Sequence, residues 1–171
     1  DWICREYAGG WFVVLEYDYI PGDHQQVTKA SWMSLLRRIA TLHNNGYVHG
    51  DILPRNMLFS GNEGYIIDFD LMRQEGQQYV LGYNYVDFEK YRHTDAQAQK
   101  QMKKTHDVHA LTIIAVEYFG DDADALLGGK NITSIQELIS IFDSWSFEGS
   151  HEVNPDDSTD PLDASSSPVR D

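Results

Sequence analysis

The strongest constraint on the fold is the order of three apolar patterns between residues 28 and 70. A helix is predicted to begin at residue 28, because apolar side chains recur there at helical spacing, and Asn45-Gly46 is a good stop for it. The side chains that share this helical face are Trp32, Leu35, Leu36, Ile39 and Leu42. Two apolar runs at 57–59 and 65–70 then flank a glycine-containing turn at 60–64, which predicts a short hairpin.

The rest of the chain adds one strand and two helices to this arrangement. Residues 10–20 are rich in aromatic and branched side chains and predict a strand, and the glycine pair at its start suggests a hairpin with a short preceding strand. Residues 107–119 are apolar on nearly every side, which predicts a buried helix ended by Gly120. Ser134 and Glu137 form a capping-box pattern that opens a last amphipathic helix. The sequence therefore predicts an α+β fold.

Charge and cysteine content exclude several classes of function. Thirteen basic against 27 acidic side chains give a net charge of −14, which argues against a general nucleic-acid binder or a polybasic membrane binder. Nucleotide binding stays open, because Mg²⁺ can bridge carboxylates to phosphates. The single cysteine, Cys4, allows no intrachain disulfide and favours a reducing compartment. No apolar run reaches transmembrane length.

The segment from His49 to Asp70 carries the chemistry. Asp51 and Asn56 have H-x-D-x-x-x-x-N spacing, and Asp68 follows the predicted hairpin. Phosphoryl transfer from ATP needs a carboxylate that orients and deprotonates a hydroxyl, together with oxygen ligands for the metal on the phosphates. Each half of the segment has an ordinary alternative explanation, since an Asp in a turn or after a strand is often a cap. The combination with the preceding helix favours a phosphotransferase.

Residues 11–119 resemble the hinge and C-lobe of eukaryotic-type protein kinases. The resemblance implies a protein-kinase-like fold, ATP and Mg²⁺ as cofactors, Asp51 as the catalytic-loop base, Asn56 as a metal ligand and Asp68 as the principal Mg²⁺ ligand. It also implies that a carboxylate at Asp107 supports the catalytic loop. For His106 and His109, packing at the start of a helix is expected rather than metal binding.

The same resemblance implies where a nucleotide would lie. The positions that correspond to the gatekeeper and hinge are Leu15, Glu16, Tyr17 and Asp18. Asp23 is expected near the ribose, and Leu58 is expected to form the floor under adenine. Three segments follow: residual N-lobe strands and hinge at 1–26, a mostly helical C-lobe at 27–145, and an acidic tail at 146–171 that is predicted to be disordered.

Several residues depart from the pattern of protein kinases. Gly50 stands where most have Arg, so pairing to a phosphorylated activation loop is not available. Leu53 replaces the loop lysine, and Arg55 is the nearby cation that could substitute for it. Asp70 replaces the glycine of Asp-Phe-Gly. His-Gly-Asp is similar to aminoglycoside-kinase-like enzymes, and the whole set of motifs looks most like the kinase-like domains of Crinkler-type effectors and related fungal kinases.

Two classes of function follow from these residues. The first is a phosphotransferase, expected to be a protein Ser/Thr kinase or alternatively a small-molecule kinase, that acts on a protein or small-molecule phosphoacceptor. The second is a pseudokinase or binding module. No Gly-rich loop or strand lysine precedes residue 11, so this chain alone is expected to lack activity without an N-lobe. An intracellular location is expected, with no nucleic-acid or membrane partner; an effector would be secreted into a host cell.

Overall fold

The computed structural model describes residues 2–7, 10–15, 19–24, 26–81 and 86–146. Its strands are β1 (Trp2–Tyr7), β2 (Gly10–Leu15), β3 (Tyr47–Val48), β4 (Met57–Ser60), β5 (Glu63–Ile66) and β6 (Arg73–Gln74). Its α-helices are α1 (Lys29–Asn44), α2 (Lys104–Leu127) and α3 (Ile135–Ser144), and two 3₁₀ helices lie at Pro54–Asn56 and Val86–Tyr91. The strands form three antiparallel pairs, β1–β2, β3–β6 and β4–β5. Mixed helices and small antiparallel sheets agree with the predicted α+β class.

Helix α1 is the centre of the main core. Its N-cap is Thr28, which forms a reciprocal capping box with Ser31, and the chain turns away at Gly46. The predicted apolar face is buried, except that Leu42 is only partly buried. Trp32 is fully buried, and its ring makes edge or tilted contacts with Tyr118, Phe119 and Phe142 at centroid distances of 5.9–6.1 Å. These aromatic contacts join α1 to α2 and α3.

The β4–β5 hairpin forms as predicted, but its second strand begins earlier than the sequence suggested. The strand runs over Glu63–Ile66, so residues 67–70 lie beyond it and the turn is confined to Gly61 and Asn62. Gly64 belongs to the strand because β5 lies directly on α1. A Cβ atom at Gly64 would lie 2.3 Å from the Ser31 carbonyl oxygen, so only glycine permits this close approach.

Strands β1 and β2 form the hairpin that the glycine pair indicated, with Tyr7 opposite Gly10. The predicted strand over 10–20 is too long, because β2 ends at Leu15 and residues 19 and 20 are not extended in a sheet. Tyr19 is 89% exposed, so its aromatic ring does not pack against a neighbouring strand. The chain next joins β4 through an isolated bridge, in which Asp23 and Phe59 exchange backbone hydrogen bonds of 3.1 and 2.8 Å.

Helix α2 is interrupted where the sequence predicted its end. Gly120 has φ 61° and ψ −143°, but helical structure resumes beyond it and continues to Leu127. The helix also begins at Lys104, three residues before the predicted start. It is buried mainly on one side rather than all round, and its buried side chains before Gly120 are His106, Asp107, Val108, Ala110, Leu111, Ile114 and Ala115.

The capping box that opens α3 is present as predicted. Ser134 accepts a hydrogen bond from the Glu137 amide, and the Glu137 carboxylate accepts from the Ser134 amide. Ile135, Leu138 and Phe142 then face the core, while Ile139 is only partly buried. Of the predicted acidic tail, only residue 146 lies among the described residues.

A second, smaller core combines β3 with the segment between β6 and α2. Val48, Tyr79, Ala96 and Met102 form this second core, and each is 4% exposed or less. Backbone bonds between the stretches 76–79 and 99–102 close the loop, and β6 pairs with β3. Within the part of the chain that the structure describes, no helix is both long and apolar enough to cross a membrane.

Candidate active site

The turn between β3 and β4 brings the predicted base and metal ligand into direct contact. Asn56 lies in the 3₁₀ helix at the end of this loop and is 3% exposed. Its side-chain nitrogen donates to both the backbone oxygen and the Oδ2 atom of Asp51, each at 2.9 Å. Arg55 approaches the same Oδ2 atom at 3.6 Å, with a side chain that is 54% exposed. The three residues therefore form one polar cluster around the carboxylate of Asp51.

A buried carboxylate on α2 holds the start of this loop. The Asp107 side chain accepts hydrogen bonds from the backbone amides of His49 at 2.8 Å and Gly50 at 3.0 Å. It also accepts from Nε2 of His43 at 2.9 Å. Asp107 is 2% exposed, so its charge depends on these three donors in place of water. The kinase resemblance implied that Asp107 supports this loop, and the bonds to the His49 and Gly50 amides are such contacts.

Gly50 is favoured by the conformation of the backbone at this position. Its φ is +78°, a region that favours glycine. A Cβ atom there would lie 2.3 Å from Cε of Met102 and 3.4 Å from the ring of Tyr79. Met102 thus lies beside Gly50, and the second core packs directly on the loop that carries Asp51.

His49 connects the loop to the segment that carries Asp68. Its Nε2 donates to the carbonyl of Ile67 at 3.2 Å, and its Nδ1 accepts from the Asp51 amide at 3.3 Å. The amide of Ile67 donates to the carbonyl of Asn56 at 2.9 Å. Asp68 follows directly and has φ +63°, an uncommon conformation for a residue other than glycine. Asp68 therefore directly follows a residue, Ile67, that is bonded through its backbone to both His49 and Asn56.

The residues predicted to bind a nucleotide are spread over several elements. Glu16, Tyr17 and Asp18 lie outside the described residues, and Leu15 is the last residue of β2. Asp23 is exposed, and its Oδ1 accepts from the Gln26 amide at 2.9 Å, which closes the turn after β2. Leu58 is half-buried and alternates with the buried Met57 and Phe59, so its side chain is on the opposite face of β4.

The sequence reasoning missed His43 as part of the site. The signal was a polar residue seven positions after Leu36 and four after Ile39, on the apolar face of α1. His43 is 3% exposed and lies in the core with its Nε2 on Asp107. His106 was expected to pack at the start of a helix, and it is indeed buried in the first turn of α2, where its Nδ1 pairs with the Tyr79 hydroxyl at 2.9 Å.

Comparison with known proteins agrees with a phosphotransferase site. The model of a phosphotransferase enzyme family, APH, matches residues 13–74, a segment that contains Asp51, Asn56 and Asp68. The serine/threonine-protein kinase Kist of Mus musculus and that of Homo sapiens are each 43% identical to this chain over 67 residues. That stretch is 38% of this chain, and it spans only 15% of the length of these curated relatives. Together the comparisons support a kinase-like phosphotransferase domain.

Proposed function

We propose that this chain is the C-lobe of an atypical protein-kinase-like enzyme that transfers phosphate from ATP, with Mg²⁺, to a serine or threonine hydroxyl. Segments 1–26 and 27–145 correspond in this proposal to the residual N-lobe with hinge and to the C-lobe. Catalysis requires an N-lobe as a partner, since the chain carries no Gly-rich loop or strand lysine before residue 11. The Crinkler-type affiliation and an intracellular site of action, reached by secretion into a host cell if the protein is an effector, belong to the same proposal.

The observation that carries the proposal is the contact between Asn56 and Asp51. The side-chain amide of Asn56 donates to the Asp51 carboxylate and so fixes its direction. Asp107 holds the start of the same loop by accepting from two of its backbone amides. A pure scaffold has no need for a carboxylate held in this way. A base that deprotonates an acceptor hydroxyl does need it, because positioning contributes much of the rate in phosphoryl transfer.

The polar side chains of the loop have separate roles in this mechanism. Asp51 orients the acceptor hydroxyl and accepts its proton as the new bond to phosphorus forms. The guanidinium of Arg55 lies 3.6 Å from Asp51 Oδ2. Because Leu53 replaces the loop lysine of protein kinases, Arg55 is the nearby cation suited to contact the transferred phosphate. Leu53 is 3% exposed and cannot serve in that role.

The donor set fits Mg²⁺, which takes hard oxygen ligands and few of them from protein. The side-chain nitrogen of Asn56 is committed to Asp51, so the amide oxygen is the atom that Asn56 presents as a ligand. Asp68 is exposed and contributes a carboxylate from the segment bonded to the same loop. When bound, the metal would neutralise charge on the ATP phosphates.

The two acids are distinguished by measuring turnover and nucleotide binding separately, in a version of the protein that includes its N-lobe. Asp51→Asn should lower kcat by about 10²-fold or more and leave Mg·ATP binding nearly unchanged, because a base acts mainly in the transition state. Asp68→Asn should weaken both, because a metal ligand also holds the nucleotide in the ground state.

Calorimetry with Mg·ATP and a phosphate-transfer assay give the two readouts, and Asp122→Asn, an exposed acid on α2, is the matched control. Equal loss of ATP binding in Asp51→Asn and Asp68→Asn would reject the assignment of roles. Full activity of Asp51→Asn would reject the enzyme and favour a pseudokinase or binding module.

A small-molecule acceptor is the second candidate, and the arrangement at Gly50 favours it. The φ of Gly50 is +78°, a conformation that the arginine found in most protein kinases at this position rarely adopts. The His-Gly-Asp motif is shared with aminoglycoside-kinase-like enzymes. The same phosphate-transfer assay distinguishes the candidates: incorporation into protein substrates supports the first, and incorporation only into small hydroxyl compounds supports the second.

A further inference from the structure

A cluster of potential metal ligands lies between the loop before α2 and the first turn of that helix, and a small cavity joins it to the Asp51 loop. His93, Asp95 and His106 each offer one ligand atom, and these atoms all lie within 4.8 Å of one another. A second histidine on α2, His109, touches the ring of His93 edge-on at a centroid distance of 5.1 Å. Imidazole and carboxylate groups together form the donor set that binds Zn²⁺ and similar transition metals.

His106 is the residue that makes this cluster unusual. It is 4% exposed, and its Nδ1 pairs with the Tyr79 hydroxyl at 2.9 Å. Its other ring nitrogen, Nε2, is buried without a hydrogen-bond partner in the part of the chain that the structure describes. A buried ring nitrogen without a partner is costly, so helix-start packing accounts for Nδ1 but not for Nε2. Metal-bound histidines commonly use one nitrogen for the ion and the other for a supporting hydrogen bond.

The space around the ring also permits a ligand at Nε2. A cavity of about 20 Å³, large enough for one ion or water molecule, is lined by His93 and His106 on one side and by the loop residues Gly50 and Asp51 on the other.

The other two ligands are bound to weaker partners that an ion would replace. Nδ1 of His93 accepts from the Asp95 amide at 3.1 Å, and its ring is stacked on His106 at a centroid distance of 5.2 Å. The exposed Asp95 carboxylate is paired with Lys103 at 3.1 Å. Binding through Nε2 of His93 moves its ring proton to Nδ1 and breaks the contact with the Asp95 amide, and binding of Asp95 releases Lys103.

We propose that His93, Asp95 and His106 form a binding site for a divalent transition-metal ion of the Zn²⁺ class, which ties the loop at residues 93–95 to helix α2. Ligands at about 2.0–2.1 Å from zinc in tetrahedral geometry lie about 3.4 Å apart. The ligand atoms now lie within 4.8 Å of one another, so the half-buried His93 would move toward His106 on binding, while His106 stays held by Tyr79. Water or His109 completes the coordination.

The test uses the whole metal-free chain, with Co²⁺ as a spectroscopic probe and Zn²⁺ in thermal unfolding. One equivalent of Co²⁺ should give the visible absorption of a tetrahedral site, and Zn²⁺ should raise Tm. His93→Ala and Asp95→Asn, both outside the main core, should each weaken binding about 10-fold or more. His24→Ala, on a distant turn, should not change it.

Asp122→Asn, an exposed acid on α2 that belongs to neither site, should bind Co²⁺ as the unchanged chain does. Absence of micromolar binding would overturn the proposal and leave the cavity to a water molecule. Binding that survives both His93→Ala and Asp95→Asn would also overturn it, since the ion would then lie elsewhere.

Discussion

At the scale of single residues, the site depends on buried polar groups that satisfy each other. Asp107 accepts from two consecutive backbone amides and from His43, so one carboxylate fixes both the direction of the loop and the position of an α1 side chain. The resulting network explains how a turn with glycine at its centre can still hold Asp51 in one place.

Asp107→Asn should destabilise the fold by about 3 kcal/mol, because an amide cannot accept from all three donors. In one of the two orientations of the asparagine side chain, an NH₂ group would face the His49 amide, which would then lose its acceptor. Chemical denaturation measures the change, with Asp124→Asn as an exposed control on the same helix. A loss no larger than that of the control would show that the network contributes little to stability.

At the scale of elements, local signals determine the ends of α3. The Glu137 carboxylate accepts from the Thr133 and Ser134 amides, and these bonds lower its pKa. The negative charge is also favourable near the N-terminus of a helix.

The ionised form of Glu137 should stabilise the chain above the pKa of an unfolded glutamate, and this contribution should disappear as the pH falls through the lower folded value. Glu137→Gln should therefore show a smaller loss of stability between pH 7 and pH 3 than the unchanged chain. Unfolding curves across this range measure the difference. Identical pH dependence in both proteins would contradict a role for the charge. Ser134→Ala should cost about 1 kcal/mol through loss of the cap.

Elements that depend on neighbouring residues could be predicted from the sequence, and those that depend on distant ones could not. The periodicity of α1 and the Asp51–Asn56 spacing are local, and the structure shows both the helix and the contact. The second core combines Val48 with Met102, which are far apart in sequence, and no local pattern identifies them. The strand limits at Gly64 likewise depend on the approach of α1.

At the scale of the whole molecule, two apolar cores meet at the candidate site. The main core surrounds Trp32, and the second core surrounds Met102. The loop that carries Asp51 runs between them, since Ile52 belongs to the first and Val48 to the second. Rigidity of the site therefore depends on both cores.

Hydrogen exchange should reveal this organisation. Amides at 108–115 should exchange slowly, because they are hydrogen-bonded within α2 and this part of the helix packs on the main core. Amides at 150–171 should exchange fast if the acidic tail is disordered as its composition predicts. Mass spectrometry of peptic fragments measures both. A protected tail, or a rapidly exchanging 108–115 segment, would contradict the assignment of segments.

The position of Met102 against Gly50 makes its sulfur a chemical reporter of loop opening. The side chain is fully buried, so peroxide can reach the thioether only when the second core separates from the loop that carries Asp51. The rate of sulfoxide formation at Met102, compared with that at the buried Met33 of α1, would then time the opening of this half of the site without any label. Because the sulfoxide is polar and cannot repack beside Gly50, oxidation would also leave the loop in its opened state.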